Sequence, residues 1–169
     1  MARRLTIADP EGPAMSDAAA RELRAETTIA APPAQVWAAL TDLRNMRAWS
    51  EELVTMIPLT PGGLKLGQQY LGLNRRKAMI WPSRSVVAQL DAEKALAWDT
   101  KTSGARWIYE LSPEGTGTKV VHRRPVPKKM TVLSKLFAPV ALGGSDGHAD
   151  ELEGHMATTL QRMKATVEG

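Results

Sequence analysis

Few groups in this chain can do chemistry. It has three histidines, His122, His148 and His155, and no cysteine in 169 residues, which excludes disulfides, thiolate metal sites and cysteine nucleophiles. Residues 143–147, GGSDG, satisfy Gly-x-Ser-x-Gly, the pattern of a hydrolase nucleophile elbow. That elbow needs a strand before its serine, whereas a helical pattern precedes this one. Ser145, Asp150 and His155 follow at five-residue steps, about 140° apart on a helix, and cannot converge as a triad. A helix break is the better reading: Gly143 and Gly144 end one helical piece, and Ser145 or Asp146 caps the next, with Asp150 and Glu151 near its positive end. His148, Glu151 and His155 share a helical side, but the imidazoles stand two turns apart, about 10.5 Å, too far for one ion without further ligands. They are read as rim residues, and no metal or cofactor is implied.

His122 has a different setting. Taken at period two, Trp81, Ser83, Ser85 and Val87, Leu96 and Trp98, Trp107, Tyr109 and Leu111, and Val120 and His122 fall on one face of successive strands. Such a face, aromatic with a few polar tips, suits an apolar molecule of moderate size whose polar end is fixed by one or two hydrogen bonds. The same side chains could instead fill a close-packed core. Buried tryptophan and tyrosine need partners for N–H and O–H, which makes Trp81, Trp107 and Tyr109 the expected polar anchors. His122 is the one histidine placed for ligand hydrogen bonding or proton transfer.

The elements that hold this face follow from the apolar periods. Leu23, Ala25, Thr27 and Ile29 alternate as a half-buried strand that ends at Pro32-Pro33. Val36, Trp37 and Leu40 then share one side of a helix over about 33–40, and Thr41 or Asp42 can cap a second short helix to about Ala48. Residues 53–127 carry six strand patterns separated by short turns, which predicts an antiparallel meander. Pro82, inside one of them, demands a sheet edge or a bulge. After Pro127 the period becomes helical, through "MTVLSKLFAPVAL" and then along the Leu152, Met156, Leu160, Met163 and Val167 stripe. Residues 1–20 show no apolar period and are expected to be a flexible tail before a single domain over 21–169. The architecture expected is α+β: a seven-stranded curved antiparallel sheet around a long C-terminal helix, with two short helices after the first strand. Those helices would plug one end of the sheet, with Trp37 and Trp49 against its rim.

No run is long and apolar enough for a membrane span, and residues 1–24 lack the apolar middle of a secretory signal, so a cytoplasmic location is expected. The net charge is +4, carried in small clusters, Arg75-Arg76-Lys77, Arg123-Arg124 and Lys128-Lys129, each read as solvated strand edge or loop tip. No nucleic-acid-binding signature accompanies them. Lys128-Lys129 leaves open a transient contact with an anionic membrane, although packing of the following segment on the sheet explains the same residues. Glu51 and Glu52 are read as solvated at the mouth of the site.

Three stretches carry a resemblance. "ETTIAAPPAQVWAALTDLRNMRAWSEEL", "LGLNRRKAMIWPSRSVVAQLDAEKALAW" and "ARWIYELSPEGTGTKVV", in that order, resemble the opening strand, helix pair and Trp-Ser turn, the central strand pair and the late hairpin of the START-like, helix-grip (SRPBCC) superfamily, in its bacterial polyketide cyclase/dehydrase-like branch. The likeness covers about residues 23–167. It implies a hydrophobic cavity between sheet and C-terminal helix, and it covers both carriers and enzymes. The expectation is non-catalytic binding or transport of a lipid or polyketide-like molecule by a monomer or homodimer. Trp81, Ser83, Ser85, Trp98, Trp107, Tyr109, His122, Leu152 and Met156 would line the site. The alternative is a cyclase or dehydratase with His122 as acid/base.

Overall fold

A computed structural model describes residues 21–125 and 145–169, with side chains from Ala149 onward in the second stretch. The expected tail at 1–20, Lys128-Lys129, "MTVLSKLFAPVAL" and Gly143-Gly144 lie outside the described residues, as do the side chains of Ser145, Asp146 and His148.

Strand β1 (Leu23–Ile29) leads into α1 (Pro33–Thr41), a single 3-10 turn (Leu43–Asn45) and α2 (Met46–Trp49). Pro33 begins α1, where its missing N–H has no partner to lose. Asp42 is the residue that caps the following turn, its side chain accepting a hydrogen bond from Arg44 N at 3.2 Å. Six strands follow: β2 (Leu53–Pro58), β3 (Gln69–Arg76), β4 (Met79–Asp91), β5 (Ala95–Thr100), β6 (Ala105–Glu114) and β7 (Gly117–Arg124); helix α3 (Ser145–Glu168) ends the chain.

The seven strands form one curved antiparallel sheet in the order β1-β7-β6-β5-β4-β3-β2. β2 to β7 are thus a meander, and β1 closes onto β7 with Leu23 opposite Arg124 and Ile29 opposite Thr118. Pro82 pairs with Leu73 of β3, while pairing with β5 begins only at Ser85. The first part of β4 therefore overhangs its neighbour as a local edge, which satisfies the demand made by the proline. A second irregularity falls between Val87 and Gln89, and it turns Leu90 back to the inner side, where it packs on the core.

Helix α3 packs chiefly on β1, with further contacts to α1, α2 and β7. Ala149, Met156, Leu160 and Met163 are buried on its inner side in one cluster with Ile29, Val36, Leu40, Trp49 and Val120, following the helical period of the apolar stripe. Its flank runs along the free edge of β1. Glu153 accepts from Arg24 N at 2.9 Å, Lys164 donates to Thr28 O at 2.5 Å and Glu168 accepts from Ala30 N at 2.6 Å. Three edge-strand groups that could template another chain are thereby occupied. At the other end of the sheet, Ile57, Leu71, Leu73 and Ile80 remain exposed on the outer face of β2 to β4.

Candidate functional site

The inner face of β4 to β7 bears the residues singled out by strand parity. Tyr109 and His122 are opposite each other across β6 and β7, Leu96 and Tyr109 across β5 and β6, and Trp98 and Trp107 likewise. This register stacks the Tyr109 and His122 rings at 4.0 Å between centroids and 14° between planes. Trp107 lies 5.7 Å from His122, and Trp98 lies 5.6 Å from Tyr109, both tilted. Tyr109 and His122 are buried, whereas Trp81, Trp98 and Trp107 are only half-buried. The aromatic wall thus has a sealed base and tryptophans that keep accessible surface.

Both ring nitrogens of His122 lack a hydrogen-bond partner. A buried polar atom left unpaired is costly, so this is the most conspicuous polar feature of the wall. Burial pushes the imidazole pKa down to about 3, which keeps the ring neutral near pH 7 with one donor and one acceptor. Burial likewise raises the Tyr109 phenol well above its usual value, so that it stays protonated.

The remaining expected residues take different positions. Ser85 is buried, 3.4 Å from the Thr100 hydroxyl. Ser83 is half-buried and accepts from Asn74 Nδ2 at 2.9 Å. Met156 belongs to the closed core, and Leu152 packs against that core half-exposed.

One inward residue escaped the sequence reading. Arg123 and Arg124 form a basic pair read above as solvated, but the strand separates them. Arg123 points outward and bonds Glu22 at 2.9 Å and Glu110 at 2.8 Å. Arg124 shares the parity of His122 and lies over the Trp107 ring, 5.3 Å from its centroid. Its Nε is buried without a partner, and burial lowers its pKa. The alternation carries the signal, because Arg124 stands two residues beyond His122 and so on the same strand face.

Trp49 answers to the helix more than to the sheet rim. It is 1% exposed, its Nε1 donates to Thr166 Oγ1 of α3 at 2.9 Å, and its carbonyl accepts from Arg162 at 3.3 Å. Trp37 is half-buried beside an open cleft of about 440 Å³ with Leu64 and Leu90. A second cleft, about 430 Å³, lies between α2, β2 and Arg75. Neither is lined by Trp107, Tyr109 or His122, so each is separate from the aromatic wall.

His155 is not a free rim residue. Its Nε2 lies 3.0 Å from Glu51, and its Nδ1 lies 3.7 Å from Glu52. Glu52 is correspondingly less solvated than its sequence suggests, and burial raises its carboxyl pKa. The cluster pins α3 to the loop after α2, and no metal-binding group is found among the described residues. The serine of GGSDG is the first residue of α3, and the residues before it lie outside the described ones. No helix among the described residues is long and apolar enough to cross a membrane.

Comparison with known structures gives the same architecture. The chain is similar to the KanY protein, at 20% identity and TM-score 0.65 over 88% of this chain and 97% of that one. It is similar to TTHA0849 from Thermus thermophilus, at 17% identity and TM-score 0.60 over 86% and 96%. It also resembles StfQ, the di-domain ARO/CYC of the steffimycin biosynthetic pathway, at 13% identity and TM-score 0.67 over 87% of this chain and 50% of that one. At such identities the likeness is one of fold. No curated protein matches the chain. The family profile described as polyketide cyclase / dehydrase and lipid transport matches residues 20–168. The sheet, the gripping helix and that match across nearly the whole chain together place the protein in the polyketide cyclase/dehydrase and lipid transport family.

Proposed function

We propose that this protein binds or carries a hydrophobic small molecule against the inner face of β4 to β7 without transforming it. The observation that carries the reading is the pairing of half-buried inward tryptophans, Trp81, Trp98 and Trp107, with the buried, unpartnered imidazole of His122. A face meant only for packing would bury its largest rings and satisfy its polar atoms. Here the rings offer apolar area worth about 25 cal/mol per Å² on burial, and the imidazole offers a donor and an acceptor that orient a bound group. The family description, which includes lipid transport, is consistent with a carrier.

The catalytic alternative asks His122 to act as acid or base. With its pKa held down to about 3, the ring carries almost no proton to donate near neutrality and is a weak base, far from the poise that proton transfer favours. Binding suits this environment better.

The test is a titration of tryptophan fluorescence with apolar and amphipathic probes, alongside native mass spectrometry of the purified protein. Saturable quenching is expected, and Trp107→Ala should weaken it about tenfold, for loss of about 1.4 kcal/mol of contact. Absence of saturable binding by every probe would overturn the proposal.

A further inference from the structure

Arg124 poses a physical problem that the binding reading does not by itself resolve. Its neighbour Arg123 is saturated by two carboxylates, and Arg106, also outward, is held by Asp99 at 2.7 Å. Arg124 has no ion pair among the described residues, its Nε is buried and unpartnered, and its guanidinium lies over Trp107. Residues 126–144, which follow it, contain no aspartate or glutamate. A guanidinium taken out of water without an anion is unfavourable, and a tryptophan face compensates only part of that cost. The N–H donors of a guanidinium radiate in its own plane, so the terminal nitrogens present a planar edge. That edge matches a carboxylate, which accepts two parallel hydrogen bonds.

His122 lies two residues earlier on the same strand face, ~6.6 Å along the chain, with both ring nitrogens buried and unpartnered. We propose that Arg124 and His122 form the polar end of the interior site and select an amphipathic organic carboxylate, whose head group sits on the Arg124 edge. A hydroxyl or carbonyl near that head meets His122, and the apolar body lies on Trp107 and Trp98. This assignment rests on the binding function proposed above and names the class of ligand. Burial lowers the Arg124 pKa with no carboxylate to oppose the shift, in accord with an anion supplied from outside the chain.

The experiment uses the full chain and two matched probe pairs, dodecanoate against dodecanol and 2-anthroate against 2-anthracenemethanol, titrated by calorimetry at neutral pH. At least one acid should bind ten times or more tighter than its alcohol. Arg124→Met should remove that preference while leaving the alcohol within twofold, and Arg124→Lys should recover only part of it. Because the cation has no ion pair among the described residues, Arg124→Met should also raise the melting temperature by a few degrees without ligand; a lowered one would mark a structural role and overturn the assignment. Equal binding of acid and alcohol, or an acid preference that survives Arg124→Met, would overturn it while leaving interior binding intact. Failure of all four probes to bind would overturn both readings.

Discussion

At the scale of single residues, His122 couples stability to pH. Its folded pKa of about 3 lies below the ordinary 6.5, so between these values the unfolded chain binds a proton that the folded chain refuses. Stability is therefore fully present above about pH 6.5 and declines as pH falls towards 3, by about 1.4 kcal/mol per unit at most. The carboxylates held below their usual range by arginine and backbone partners, Asp99 and Glu153 among them, lose their contribution only at lower pH. Urea denaturation at pH 6.5 and pH 5 should show a loss of about 1.5 kcal/mol in the wild type that is absent in His122→Phe; an unchanged slope in the variant would place the titration elsewhere. Gly117 is a second sensitive point, for a different reason. A Cβ there would stand 2.5 Å from the Ile29 carbonyl, which is backbone and cannot rotate away. Gly117→Ala should destabilise by about 1–3 kcal/mol, as overpacking does, measured as a lower urea midpoint at unchanged slope.

At the scale of elements, the grip on α3 is the feature with the most consequences. Trp49 fills the junction of α2 with the helix and ties to it through Thr166. Trp49→Phe, which keeps most of the packing, should cost about 1 kcal/mol, and Trp49→Ala about 3–5 kcal/mol. Equal losses would mean that packing contributes nothing beyond the indole N–H. The contacts of Glu153, Lys164 and Glu168 with the β1 edge explain why the helix lies along that strand and not across the sheet centre. Removing all three side chains should make the edge a site of association, seen as concentration-dependent light scattering on mild heating.

For the whole molecule, closure is long-range. β1 pairs with β7 across most of the chain, and α3 then packs on β1. The meander pairs consecutive strands, so the β1–β7 closure and the docking of α3 are the steps that carry the loop-closure cost in folding. A chain ending before Ser145 should lose cooperative unfolding, because Ile29, Val36 and Trp49 share their core with Met156, Leu160 and Met163; a sharp denaturation transition in that truncated chain would contradict this. The sequence by itself determined the element order, the meander, the break at Pro32-Pro33 and the inner parity of Trp107, Tyr109 and His122, because alternation and turn chemistry are local properties of the chain. Only the tertiary structure decided that Trp49 holds α3, that His155 is engaged by Glu51 and Glu52, and that among the described residues Arg124 has no ion pair while Arg123 has two. Those outcomes depend on which distant side chains share a low-dielectric interior, and burial of that kind leaves no period in the sequence to read.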